Sequence, residues 1–281
     1  VYDRIQSVRH LQMRHYHMEM IAHALCNPRA YLGTKIQFSA DPELVPQADS
    51  FPYSVAAVHL ETDWLTMVIY ATENNRVGEA VAANVRDGDS VAMEGFTHLI
   101  PNAAGHEVIR QGQKDLTLIR MTPDIVYDQI VGMGRARKLV FSWAGNPGVG
   151  SLHRVREEIE KGRLEIEEHS HAAMAHAFEA GAANLPFAVM RGYKGVDLPR
   201  VNPNIRSVTC PYTGEVLATV PAVRPDVSII HALKADREGN VLLEGIVGVQ
   251  KEAVLAARRS IVTVEEIVEE FGARSPNAVI L

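Results

Sequence analysis

Hydrophobic and polar positions fall into two rhythms along the chain. From Gly78 onward the apolar residues alternate between helical spacing and short strand-like runs. "GEAVAANVRDG" is helical and ends in the Asp87-Gly88 turn signal, and "SVAMEGF" after it is a short strand. The beat repeats with "PNAAGHEVIRQG" (helix), "DLTLIRM" (strand) and "TPDIVYDQIVGMGRA", a helix with Thr122 as its cap and Pro123 at its first position. "KLVFSWA" is the third strand. It is followed by the helix "SLHRVREEIEKG", starting at Ser151, then the strand "RLEIEEHS", the helix "HAAMAHAFEAGA" and the strand "LPFAVMRG". Strands separated by helices of this length need crossover connections, which predicts an α/β fold with a mostly parallel open sheet and helices on both faces.

Between Tyr193 and Val223 the texture changes to prolines and β-rich runs such as "SVTCPYTGEVLATV", read as hairpins laid on the domain. The α/β rhythm returns with "DVSIIHAL", a turn at "ADREGN", the helix "QKEAVLAARR" and the strand "SIVTVEEIV". The first 75 residues do not share it. "SVRHLQMRHYHMEMIAHAL" suits an amphipathic helix, and "FPYSVAAVHLETDWLTMVIYATENN" two strands and a turn. This divides the chain into an unassigned extension, 1–75, and an α/β domain, 76–281. The opening Val1 and the closing apolar run "NAVIL" suggest a fragment, with the fold incomplete at its C-terminus.

Composition narrows the picture. With 281 residues, 47% hydrophobic and 22% charged, the chain has material for a sizeable core. A formal charge of -6 without a basic cluster argues against nucleic acid or an anionic membrane as partner. No apolar run approaches the roughly 18 residues of a membrane span, and nothing at the start resembles a signal peptide. Cys26 and Cys210, far apart, form neither a disulfide framework nor a metal knuckle, which fits a reducing cytoplasm. His10, His15, His17 and His23 lack the i, i+4 spacing of a helical metal pair.

Ligands of open parallel sheets bind beyond the carboxyl ends of the strands. Three loops sit there: Glu94 to Pro101, Gly145 to Ser151, and Glu167 to His171. "GNPGVGS" lacks the lysine of a phosphate-binding P-loop, and neither it nor "GMGRAR" has the glycine spacing of a dinucleotide fingerprint. A tight turn, or a wall of amides facing a substrate, remains.

"RDGDSVAMEGFTHLIP", "KLVFSWAGNPGVGSLHRVREEIEKGRLEIEEHSHAAMAHAFEAGAANLPF", "RPDVSIIHALKADREGNVLLEG" and "SIVTVEEIV" resemble, in order and spacing, the α subunit of class I CoA-transferases of the glutaconate and 3-oxoacid type. The likeness runs from about Gly78 to the end. It implies a CoA-transferase-like sheet related to the NagB/RpiA type. It implies coenzyme A as substrate with no bound cofactor or metal, and a β subunit, in an α2β2 hetero-oligomer, that carries the glutamate nucleophile. In such enzymes that glutamate passes through an acyl anhydride to a glutamyl-CoA thioester.

Counted from Gly162 to "LPF", His171 occupies the position where the family's transferases carry a glutamine near the thioester and some ring-opening hydrolases a glutamate. A histidine there either donates to an oxyanion or acts as base on water, unless it merely caps a helix. His169, His171 and His176 offer a two-residue spacing for a metal but no assigned third ligand. The family's Gly-Gly-Phe signature appears with Glu94 in place of the first glycine. Gly95, Phe96 and Thr97 suit an approach to the acyl group, and Glu94 is itself a candidate nucleophile or base unless solvated. Ser142, Asn146, Gly148, Gly150, Ser151 and Ser170 complete the expected substrate wall. The resemblance thus implies one half of a transferase. An acyl-CoA or ring-opening hydrolase using His171 or Glu94, and a silent chain that binds acyl-CoA or a partner, are the alternatives.

Overall fold

The computed structural model describes residues 77–281, apart from 147–149, 274, 275 and 277, and three short strands before them. These are β1 (Ser54–Ala56), β2 (His59–Thr62) and β3 (Leu65–Val68). The helix expected over 7–25 lies outside the described residues. Chain contacts set Pro52–Leu281 apart as one unit, so β1 to β3 belong with it.

The helix–strand rhythm is realised in order. α1 (Val77–Asn84) precedes β4 (Ser90–Glu94), α2 (Asn102–Gln111) precedes β5 (Leu116–Ile119), and α3 (Ile125–Gly132) precedes β6 (Ala136–Phe141). α4 (His153–Glu160) leads to β7 (Glu165–Glu168), and α5 (His171–Ala182) to β8 (Phe187–Met190). A short α6 (Leu198–Val201) and strands β9 (Arg206–Thr209) and β10 (Val216–Pro221) follow. The chain then makes β11 (Val227–Asp236), β12 (Val241–Leu243), α7 (Gln250–Ala256), β13 (Arg259–Val268) and β14 (Val279–Ile280).

The main sheet runs β2-β3-β13-β11-β4-β5-β6-β7, with β13, β11, β4, β5, β6 and β7 parallel. β1 and the β2-β3 hairpin lie along the free side of β13, and β12 and β14 extend the far end of β11. Period-2 alternation decides which layer each strand residue joins. Val91 and Met93 of β4, Leu116 and Leu118 of β5, and Leu139 of β6 pack with α1 to α4. Ala92, Ile119 and Val140 point the other way, onto Met174 and Phe178 of α5 and Ala253 of α7. At the outer edge, the Lys138 ammonium sits 2.8 Å from both Glu165 and Glu167 of β7.

Three expectations are corrected. The stretch 51–75, read as two strands and a turn, holds three short strands, β1 to β3. β8, read as another strand of the alternation, pairs antiparallel with β10 in a separate three-stranded sheet, β8-β10-β9. The apolar run "LPFAVM" has the composition of a strand, but only its pairing with β10, far along the chain, decides which sheet it joins. The helix starts are also later than expected. Asp124 occupies the cap position of α3, not Thr122, because the Pro123 carbonyl is taken by Gly145 N–H and the helical ladder starts with Asp128 N–H on Asp124 O. α4 begins at His153, not Ser151, because its free amides are capped from outside: Asp128 Oδ1 of α3 accepts from the N–H of Arg154 at 2.8 Å and of Val155 at 2.9 Å.

Candidate active site

The parallel strands deliver their loops to one edge. β4 ends at Glu94, β6 at Phe141 and β7 at Glu168, and the ladder continues past them, with Ser142 N–H donating to Met121 O and His169 N–H to Phe141 O.

Under the first loop lies a buried charge cluster. Glu94, only 3% exposed, accepts a hydrogen bond from Met121 N–H at 3.1 Å, so it is not a solvated strand-end carboxylate. Burial pushes its carboxyl up to about 7 against the pull of the Arg120 charge. Arg120, 1% exposed, donates to Asp124 at 3.0 Å and to the Gly95 carbonyl at 2.9 Å, and lies 5.5 Å from the Tyr127 ring centre. Burial raises Asp124 as well. Tyr127 donates its hydroxyl to Ile119 O at 2.8 Å and accepts from Met93 N–H at 3.0 Å, filling the gap where β4 and β5 part. Arg120, Asp124 and Tyr127 were not among the residues expected at the site. A charged residue inside the apolar run "DLTLIRM" was the signal for them.

The loop above this cluster is tightly wound. Thr97 and Leu99 have φ of 63° and 55°, in the left-handed region that costs a side-chain-bearing residue about 1–2 kcal/mol. A Cβ on Gly95 would lie 2.5 Å from Leu99 O, so the glycine is required by the loop's own path. His98 joins the loop to the segment after β12: its Nδ1 is 3.1 Å from Phe96 O and its Nε2 3.3 Å from Glu244 O. A Cβ on Gly245, at φ 86°, would lie 2.5 Å from that Nε2. Gln250 of α7, fully buried, donates to His231 O at 2.9 Å and closes the same corner.

The second loop is of a different kind. Ser142 Oγ lies 2.6 Å from Met121 O and 2.9 Å from Nδ1 of His171, which is exposed at the first position of α5. Asn146 and Gly150 exchange backbone hydrogen bonds of 2.9 and 2.6 Å across 147–149, and Gly148 lies outside the described residues. Ser151 accepts from Arg156 at 2.7 Å. With the Arg154 and Val155 amides occupied by Asp128, this stretch offers no helix-terminal phosphate cradle.

Ser170 caps α5 through Ala173 N–H, and its own N–H donates to the Tyr193 hydroxyl at 2.9 Å. The three histidines weighed as metal ligands face three different partners: His169 meets Glu167 at 2.8 Å, His171 meets Ser142, and His176 meets Glu179 at 3.0 Å. The His169 contact, with Lys138, draws Glu167 down to about 2. The structure thus brings Ser142 and His171 into contact at one strand end, and Glu94, Gly95, Phe96 and Thr97 together at another.

An open parallel sheet with helices on both faces thus carries, at its strand ends, a histidine–serine pair and a tightly wound loop over Gly95–Leu99. The chain belongs to the coenzyme A transferase family, whose model matches residues 74–281. It is 68% identical over 198 residues to the A-type chain of 3-oxoadipate CoA-transferase from Pseudomonas knackmussii, covering 69% of this chain and 70% of that protein. It superposes on the glutaconate coenzyme A-transferase structure from Acidaminococcus fermentans with a TM-score of 0.64 at 30% identity, over 68% of this chain and 66% of that one. A decarboxylase AibA/AibB structure matches with a TM-score of 0.65 at 31% identity, over 70% and 76%. Among the described residues no helix is long and apolar enough to cross a membrane.

Proposed function

We propose that this chain is the α-type half of an acyl-CoA:carboxylate CoA-transferase whose acceptor is a 3-oxo dicarboxylic acid. The observation that carries the reading is the 68% identity to the A-type chain of a 3-oxoadipate CoA-transferase. The partner is a β subunit, in an α2β2 assembly, that brings the glutamate nucleophile. Its carboxylate attacks the donor thioester, the C–S bond breaks, and coenzyme A leaves as thiolate from an acyl–glutamyl anhydride. The thiolate then attacks the glutamyl carbonyl and expels the donor acid, and the acceptor acid takes the coenzyme A by the reverse sequence.

Each attack places negative charge on a carbonyl oxygen. This chain supplies the wall around it: Gly95, Phe96 and Thr97 beside the acyl group, with Ser142, Asn146, Gly150, Ser151, Ser170 and His171 at the neighbouring strand ends. Glu94 is a buried support beneath the wall in this reading, since its oxygen already accepts from Met121 N–H. The domain carrying this function is 76–281, supported by the family match from residue 74, although β1 to β3 upstream share its sheet. A cytoplasmic location fits the free thiol of Cys210.

The test is co-expression with the neighbouring β-type chain, followed by an assay of coenzyme A transfer from succinyl-CoA to 3-oxoadipate. Turnover only with the acceptor is the expected result. Coenzyme A release without it would make the chain a hydrolase with His171 or Glu94 as base, and no turnover would make it a binding chain.

A further inference from the structure

The chemistry of His171, at the strand ends, depends on which of its two nitrogens carries the proton. Hydrogen-bond accounting around Ser142 answers this. The Ser142 hydroxyl has one proton and two lone pairs, and it meets two neighbours, Met121 O at 2.6 Å and His171 Nδ1 at 2.9 Å. Met121 O is a carbonyl and can only accept. Two oxygens 2.6 Å apart repel unless a proton lies between them, so the hydroxyl proton goes to Met121 O. The same carbonyl also receives the N–H groups of Ser142 and Trp143 at 3.1 and 3.2 Å, which fixes it in place. Ser142 Oγ is then left only with acceptor capacity toward the imidazole. The 2.9 Å contact is a hydrogen bond only if Nδ1 carries a proton and donates it.

We propose that Ser142 is a positioning residue that locks His171 in the Nδ1–H tautomer. In neutral His171 the exposed Nε2 therefore carries the lone pair, a base, and is not an N–H donor. Among the described residues Nε2 meets no partner, and the ring is exposed at the start of α5. The backbone backs up the lock. α5 is capped by Ser170, whose N–H is tied to Tyr193, so the first helical residue is held where its ring reaches Ser142. The inference rests on the proposed placement of His171 in the cleft for its catalytic meaning, but the tautomer itself does not. Of the two roles that the sequence left open for this histidine, it selects the proton acceptor: Nε2 can take a proton from a bound hydroxyl, enol or water, which a glutamine amide in the same place could not.

The experiment is a two-bond proton–nitrogen correlation spectrum of the full chain, with and without its β-type partner, carrying 15N-labelled histidine, at a pH where imidazoles are neutral. His171 is assigned by loss of its signals in His171→Gln. The expected result is the Nδ1–H pattern in the unsubstituted chain, retention in Ser142→Thr, and a shift toward the Nε2–H pattern in Ser142→Ala. An Nε2–H pattern in the unsubstituted chain, or a pattern that Ser142→Ala leaves unmoved, overturns the proposal. An Nδ1–H pattern in a chain without transferase activity sinks the proposed function instead and leaves the tautomer lock standing.

Discussion

The loop after β4 and the loop after β6 reach the same edge of the sheet, but they are held in opposite ways. The first rests on buried charges: Glu94, Arg120 and Asp124 are almost wholly out of water, and their hydrogen bonds end on the backbone of Gly95 and Met121. The second presents its side chains to solvent, with Ser142 half-buried and His171 exposed. The difference separates framework from chemistry. Charges stripped of water are costly to leave unpaired, so they hold a strained loop in one shape, whereas exposed groups are free to meet a substrate.

That contrast orders the expected effects of substitution on stability. Arg120→Ala is the most severe, because it strands two buried carboxyls and the Gly95 carbonyl; a loss of about 3–5 kcal/mol in denaturant unfolding is expected. A loss below about 1 kcal/mol would show that the cluster is not a support.

Glu94→Gln comes next and shows itself through pH. The folded carboxyl is raised from 4.5 to about 7, so its contribution is fully present below pH 4.5 and is lost as pH rises through 7. The natural chain should therefore lose about 3 kcal/mol relative to Glu94→Gln between those limits, because each tenfold change in proton affinity is worth about 1.4 kcal/mol. Parallel stability curves for the two chains would remove Glu94 from the support.

His171→Gln is the smallest, within about 0.5 kcal/mol of the natural chain, since an exposed side chain loses one hydrogen bond. A loss as large as that of Arg120→Ala would erase the distinction between the two loops.

Much of the framework was legible from periodicity, and the reason is local. α5 occupies 171–182 as expected, because "HAAMAHAFEAGA" has helical spacing and Ser170 stands before it as a cap. The hairpin of β9 and β10 likewise followed from its turn residues. What was not legible was decided by groups far apart in sequence. The start of α4 depends on Asp128, back in α3, and the sheet chosen by β8 depends on β10. At the site, His171 and Ser142 were visible as candidates, but not their contact. The contribution of Glu244, Gly245 and Gln250 to the corner around His98 could not be seen at all, since nothing in "EGIVGVQ" points to a loop so far upstream.

Lys138 and the two glutamates it bridges have a consequence for life in a crowded solution. β7 ends the row of parallel strands, and its outer backbone is a template on which a stray strand can polymerise. To dock there, an intruder would have to set its own side chains beside the exposed carboxylate of Glu165, whose partner Lys138 lies one strand inward. Charge on the last strand of the row thus disfavours edge pairing, which matters most while newly made chains await their partners.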